Sequence, residues 1–248
     1  MFAVRFAKMQ FDTLLLISPP DCGALLSRML QECSVDKSIR SISTLDELQA
    51  IPHEDLARAR LISFANPVIV SADILAGLGY GAYNFHPGPP HYPGLAPAQM
   101  AIYEGATLFG ITVHQMIAEV DAGPIVHADL CLVPPDALPL DLEVRAFALL
   151  AKAFNILAPH LARNPAPLPP LPYTWGKHKS SRRGISKLCA MTPDLPPAEI
   201  DRRIRAFAGN GFSIDLTMEV GGHRFSLKDA SSRPSMLESS ALLAEAPQ

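Results

Sequence analysis

The chain has 248 residues, of which 48% are hydrophobic and 18% charged. That suffices for one large buried core with a small extension. A net charge of −3 and a pI near 6.2 exclude a global basic field, which argues against nucleic acid as the main partner.

The first ten residues, MFAVRFAKMQ, lack the long apolar stretch and small-residue cleavage site of a signal peptide. Either Met1 or Met9 would serve as the start. No run reaches the roughly 18 apolar residues of a membrane span, so a cytoplasmic protein without a membrane partner is expected. Four cysteines, Cys22, Cys33, Cys131 and Cys189, are widely spaced and read as free thiols of a reducing compartment.

Phe11 to Ser18 is a short apolar run that predicts a buried strand. Asp21 is placed to cap a helix running to Cys33. A second strand is expected over 37–43. Thr44 and Glu47 have capping-box spacing, and Pro52 should interrupt the helix they start. Residues 60–65 read as a strand ended by Pro67, with Ser71 capping a short helix. Tyr83-Asn84-Phe85 closes another strand.

Further helical periodicity covers 96–104, with strands over 109–116 and 124–133. The longest helix is expected over 138–161. The stretch NPAPLPPLP, residues 164–172, holds too many prolines for a helix and reads as a linker leaving the core. A basic segment follows over 173–187. Pro197 opens a helix to Phe207, and Gly221-Gly222 centres a hairpin over 217–227. Alternating strands and helices predict a doubly wound, Rossmann-like, mainly parallel α/β sheet, with a small C-terminal helix and hairpin extension. The expected divisions are a catalytic domain over 1–163, the linker over 164–187, the extension over 188–230 and a disordered tail over 231–248.

In such sheets ligands bind at the carboxyl ends of strands. Asn84 and His86 lie at one such end, followed by the loop HPGPPHYPGLAPAQ. Asp121 falls in a V-D-A-G-P turn. Each residue alone has a structural reading: Asn and Asp favour turns, and a lone His is more often a packing residue. Their joint order is more informative. The stretch Asn84 to Pro124 resembles the catalytic core of the folate-dependent formyltransferases. That family includes glycinamide ribonucleotide, methionyl-tRNA and nucleotide-sugar formyltransferases. The resemblance rests on N-F-H-P, A-P-A-Q at 96–99, G-I-T-V-H at 110–114 and V-D-A-G-P.

The resemblance implies a transferase with catalytic Asn84, His86 and Asp121. Asn84 and His86 would hold the oxyanion of a tetrahedral intermediate, and Asp121 would take up the proton lost by the amine. It also implies 10-formyltetrahydrofolate as formyl donor, with the pterin against Phe64, Ala65, Asn66, Pro67, Val68 and Ile69. His91, Tyr92, Ala96, Pro97, Gln99 and His114 are expected at the acceptor, with His127 as a further candidate. No metal site is expected, because no HExxH or Cys/His cluster occurs. A G-x-G-x-x-A match at 77–82 follows a helix rather than a strand, which excludes a dinucleotide fingerprint.

The family's Ser and paired Leu after H-P are replaced by Gly88-Pro89-Pro90, in a loop one residue shorter. Ile117-Ala118 stands where the family has acidic residues before the catalytic turn. The segment before Asn84 is short by about one strand–helix unit. The acceptor is expected to be a small amine, foremost an amino sugar on a nucleotide. A glycinamide-type metabolite, methionyl-tRNA and a non-catalytic folate-binding role are the alternatives. The chain after Lys187 is too short for the barrel-like domain of the tRNA enzymes, and a short appendage suits a homodimer. The basic residues Lys177, Lys179, Arg182, Arg183 and Lys187, with Tyr173 and Trp175 beside them, could meet a pyrophosphate and a base, or form a solvated loop.

Overall fold

The computed structural model describes residues 10–209 and 211–227. The expected tail over 231–248 and both candidate start residues lie outside them. Elements run in the order β1 (Thr13–Ile17), α1 (Pro20–Cys33), β2 (Ser38–Ile42), α2 (Leu45–Gln49), α3 (His53–Leu56), β3 (Ala59–Phe64), α4 (Ala72–Gly77) and β4 (Ala82–His86). Then come α5 (Pro97–Glu104), β5 (Leu108–Gln115), β6 (Ile125–Leu132) and α6 (Pro139–Arg163). The extension holds α7 (Arg182–Cys189), β7 (Ala190–Met191), α8 (Pro197–Phe207), β8 (Thr217–Val220) and β9 (His223–Ser226).

A six-stranded sheet has the order β2-β1-β3-β4-β5-β6. The pairs β1–β2, β1–β3 and β3–β4 are parallel. The expected doubly wound, mainly parallel α/β architecture is therefore present. By internal packing the chain divides into two units. The first comprises 1–85, 113–127 and 152–171, and the second 86–112, 128–151 and 172–248. By sequence, β4, β5, β6 and α6 each contribute to both.

In the first unit, β1 and β3 are almost wholly buried, as expected of central parallel strands. Their apolar side chains pack with Leu48, Leu56, Ile74 and Leu78 from the covering helices. Phe64, Phe85 and Phe154 form an aromatic cluster with centroids 5.3–5.8 Å apart. The Thr44 half of the capping box forms, Thr44 Oγ1 accepting from Glu47 N–H (3.2 Å), while the Glu47 carboxylate reaches one residue further back and accepts from Ser43 N–H (2.8 Å). Asp21 does not cap α1. Pro19 occupies the N-cap without a side-chain bond, and Asp21 sits in the first turn, where its charge suits the helix dipole. Ser71 is the N-cap of α4 but makes no side-chain capping bond.

The least expected feature is Arg60, fully buried on β3. Its guanidinium donates to five backbone carbonyls: Tyr80 (3.0 Å), Leu161 (2.7 Å), Asn164 (2.8 Å), Pro165 (3.2 Å) and Ala166 (3.3 Å). Its cation also lies 4.9 Å from the Phe11 ring centroid and 5.6 Å from that of Tyr83. Burial lowers its pKa from the ordinary value, yet arginine starts so high that it stays charged. Four of these carbonyls come from the C-terminal end of α6 and the proline-rich stretch, and a helix's last carbonyls lack partners and carry negative dipole charge. That stretch is extended, as its prolines require, and it is also fastened down. Leu168 N–H donates to Tyr83 Oη (2.9 Å), and Leu171 N–H donates to Ile125 O (2.7 Å).

α6 is long and apolar enough by composition to cross a membrane. Its buried residues Leu142, Ala146, Leu150, Ala153, Leu157 and Leu161 recur at helical spacing, the pattern of a core helix. The four cysteines are free thiols. Burial pushes Cys189 up to about 11 and raises Cys22 and Cys131 as well, which makes these three poor nucleophiles.

In the second unit, α8 packs on α5. Tyr103 Oη donates to Glu199 Oε1 (2.8 Å), and the Tyr103 and Phe207 rings lie 5.8 Å apart. Arg202 and Arg203 hold the Glu199 carboxyl down at about 2. The hairpin forms as expected, with positive φ at Gly221 (57°) and Gly222 (80°). A strand not foreseen, β7, joins it to give a three-stranded sheet.

Replacing Arg60 with Ala leaves several carbonyls unsatisfied and should cost roughly 3 kcal/mol or more. Urea unfolding should show a lower midpoint at unchanged slope. A loss below about 1 kcal/mol would refute this role for the guanidinium.

Candidate active site

β4 ends in Asn84-Phe85-His86, so alternation sets Phe85 apart from its two polar neighbours. Phe85 is fully buried in the aromatic cluster, which fixes the register of this strand end.

In the first unit, Asn84 Nδ2 lies 3.3 Å from His114 Nε2. The same nitrogen lies 3.2 Å from Asp121 Oδ1. His114 and Asp121 are 2% and 5% exposed, so water screens this trio little. His114 Nδ1 is 2.9 Å from Gln115 O, and since a carbonyl only accepts, Nδ1 carries a hydrogen. In the neutral ring Nε2 is then a bare acceptor. It accepts from the Asn84 amide but turns a lone pair toward the Asp121 carboxylate. His114 Nε2 is thus the point at which the Asn84 amide and the Asp121 carboxylate meet.

Asp121 adopts φ 45°, which is uncommon for a residue with a side chain but tolerated by Asp. Gly123, two residues on, is needed for close approach: a Cβ there would lie 1.9 Å from Gln115 O. Ala65 (φ 43°) and Ala96 (φ 56°) are also left-handed. Three of the four such non-glycine residues in the described structure therefore fall at positions assigned to the site. Backbone strain of this kind concentrates where function demands it.

The expected donor segment follows β3. The Phe64 ring is committed to the core, and Ala65 N–H bonds Phe85 O (3.0 Å). Asn66 Oδ1 accepts from Val68 N–H (3.0 Å), closing a tight turn. Val68 packs on the core, Pro67 is exposed and Ile69 is 66% exposed. A turn with an exposed apolar edge suits a flat pterin.

In the second unit, His86 is buried, with Nε2 3.1 Å from Tyr92 O. The Trp175 ring stands edge-on to the imidazole, 6.0 Å between centroids at 71°. Gly88, which replaces the family's Ser, sits beside both. A Cβ there would lie 2.7 Å from His86 Nε2 and 2.6 Å from Pro97 Cβ, so the loop admits no side chain at 88. Gly88 O accepts from Thr112 Oγ1 (2.8 Å).

Of the expected acceptor residues, His91 is exposed and edge-stacks on buried Tyr92 at 4.8 Å. Burial raises the Tyr92 pKa well above its ordinary value, with Glu104 adding to the effect. Ala96 and Pro97 are buried at the start of α5. Gln99 is buried too. Its Nε2 donates to Glu143 (2.8 Å), while its Oε1 has no partner among the described residues. Burial raises the Glu143 pKa, partly offset by that bond. Glu143 went unnoticed in the sequence because it reads as an exposed helix residue. His114 emerges as the hub of the Asn84–Asp121 trio, and His127 lies on β6.

Residues 62–153 match the formyl transferase family model. The matched segment spans Asn84, His86, His114 and Asp121 and is similar to that family.

The fold is shared with a 4-N formyltransferase from Francisella tularensis at 13% identity and TM-score 0.67, covering 91% of this chain and 100% of that one. A sugar N-formyltransferase from Shewanella sp. FDAARGOS_354 matches at 15% identity and TM-score 0.68, again over 91% and 100%. An N-formyltransferase from Helicobacter canadensis, in complex with folinic acid and dTDP-3-aminofucose, matches at 13% identity and TM-score 0.62, over 85% of each chain.

Gly88→Ala should lower kcat by about tenfold or more through displacement of His86, because a 1 Å error at a reacting group costs about 10²-fold. A mutant with the native melting temperature and native kcat would show that the contact with His86 is slack.

Proposed function

We propose that this enzyme transfers the formyl group of 10-formyltetrahydrofolate to the primary amine of a small acceptor, an amino sugar carried on a nucleotide. The observation that carries the reading is the trio of Asn84, His114 and Asp121, joined at one imidazole nitrogen, with Asn84 two residues from His86 on β4.

The amine nitrogen bonds to the formyl carbon, and the carbonyl electron pair moves onto oxygen. Asn84 has two amide hydrogens, and only one is engaged by His114, so the second serves the oxyanion. The attacking nitrogen sheds a proton to Asp121, whose Oδ1 lies 3.2 Å from His114 Nε2. The bond from carbon to N10 of the folate then breaks, and N10 takes a proton from His86.

Folate use is supported by the folinic acid bound to the Helicobacter relative, and the exposed turn over Asn66–Ile69 suits the pterin. The acceptor class is supported by the dTDP-3-aminofucose of the same relative. Four free thiols and folate chemistry both fit the cytoplasm.

The direct test incubates a pool of nucleotide-linked amino sugars with enzyme and 10-formyltetrahydrofolate, and seeks a formylated product by mass spectrometry. His86→Ala should reduce turnover by about 10²–10⁴-fold, and Asn84→Ala by about 10²–10³-fold. Tetrahydrofolate affinity should stay near the native value in both. Equal loss of folate binding and turnover would refute the assigned roles.

A further inference from the structure

Gln99 and Glu143 form a polar pair within the second unit that the proposed reaction does not use. Gln99 is the third residue of α5 and 2% exposed. Its Nε2 donates to Glu143 Oε1 (2.8 Å), and its Oε1 has no partner among the described residues. Turning the amide over does not help, because Oε1 then faces a carboxylate, which only accepts. In either orientation one buried amide atom goes unmet, at a cost. One proton on Glu143 removes that cost. A carboxylic acid and a primary amide pair through two bonds, amide N–H to carboxyl C=O and carboxyl O–H to amide C=O. The first of these is in place.

The surroundings favour the proton. Burial raises the Glu143 pKa, the Gln99 bond offsets this only in part, and no charge is among the causes. Glu143 lies beyond the first turn of α6, where the helix dipole would have favoured an anion. The titratable groups of the neighbouring elements are turned to other partners. On α5, Tyr103 donates to Glu199, and Glu104 is bonded to Tyr92. On α6, Asp141 accepts from Leu138 N–H, and Arg145 is exposed. On α8, Arg202 and Arg203 hold Glu199, and Arg205 donates to the Pro135 and Ala137 carbonyls. Glu143 itself is half-buried, which leaves its proton in exchange with solvent.

Gln99 stands two residues after Pro97. A Cβ on Gly88 would lie 2.6 Å from Pro97 Cβ and 2.7 Å from His86 Nε2, so the first turn of α5 backs directly onto the catalytic loop. Resting on the proposed function, in which His86 delivers a proton, we infer that Glu143 is a positioning residue for His86. As a carboxylic acid it closes the second bond to Gln99, and the closed pair holds the first turn of α5 against Gly88 and the His86 ring. Ionisation opens the pair and loosens that turn.

Glu143→Gln supplies both bonds without a proton, so it copies the acid form at every pH. The folded pKa of Glu143 lies above the ordinary 4.5, so its stabilisation is complete below that value and is lost as pH rises through the folded pKa. Melting temperatures of native protein and Glu143→Gln should differ by a constant at low pH and then diverge. The native value should fall relative to the variant by roughly 2–4 °C per pH unit until Glu143 is ionised. Trp175 is the sole tryptophan and stands edge-on to His86, so its emission reports the placement of that ring without turnover. Its emission should change over the same pH range in native protein, and this change should be missing in Glu143→Gln. The alkaline fall in kcat for formyl transfer should move to higher pH in the variant. Infrared spectra of native protein give a measurement that needs no variant: a protonated-carboxyl C=O band should persist above the range in which ordinary carboxyls ionise. Absence of that band, or parallel melting curves, would overturn the inference. Divergent melting curves with identical emission curves would overturn the positioning role. Failure to formylate any acceptor would overturn the proposed function, while melting, emission and infrared spectra still decide the pair. Formyl transfer with parallel melting curves would do the reverse.

Discussion

Arg60 is the constraint on which the first unit depends. A charge buried in an apolar core is expensive, and here no carboxylate offsets it. Five neutral carbonyls do so, four drawn from the end of α6 and the stretch after it and one from Tyr80. The cation therefore dictates where the longest helix stops and how the next residues run. Those residues reach Leu168, whose amide bonds Tyr83, the neighbour of Asn84 in the chain. A buried charge and β4 are thus linked through one short run of backbone.

A second constraint is the shared nitrogen of His114. Two polar neighbours compete for it, and its other nitrogen is committed to a carbonyl. One imidazole thereby holds the amide of Asn84 and the carboxylate of Asp121 in a fixed relation.

Much of this was legible in the sequence, and the reason is locality. The capping box at Thr44, the two-glycine hairpin and α8 depend on neighbours a few residues away. The N-F-H-P and V-D-A-G-P pieces were recognisable because side-chain type and spacing carry the chemistry. Arg60 was not, since a charge at the start of an apolar strand reads as a strand edge. The proline stretch announced its extended backbone, but not the partners of its carbonyls. Strand alternation singled out His114, yet its meeting with Asp121 depends on the turn after β5. β7 is two residues long and exists only because β8 pairs with it.

The character of α6 bears on how the chain is made. A segment so apolar needs its covering surface early. Its first-unit partners, among them Phe64 and Phe85, precede it in the chain and are synthesised before it. Three of the carbonyls that neutralise Arg60, those of Asn164, Pro165 and Ala166, emerge directly after it. Chain order thus supplies the covering surface first, the greasy helix second and the clasp last, which shortens the interval in which either bare hydrocarbon or a bare buried charge is exposed to the wrong solvent.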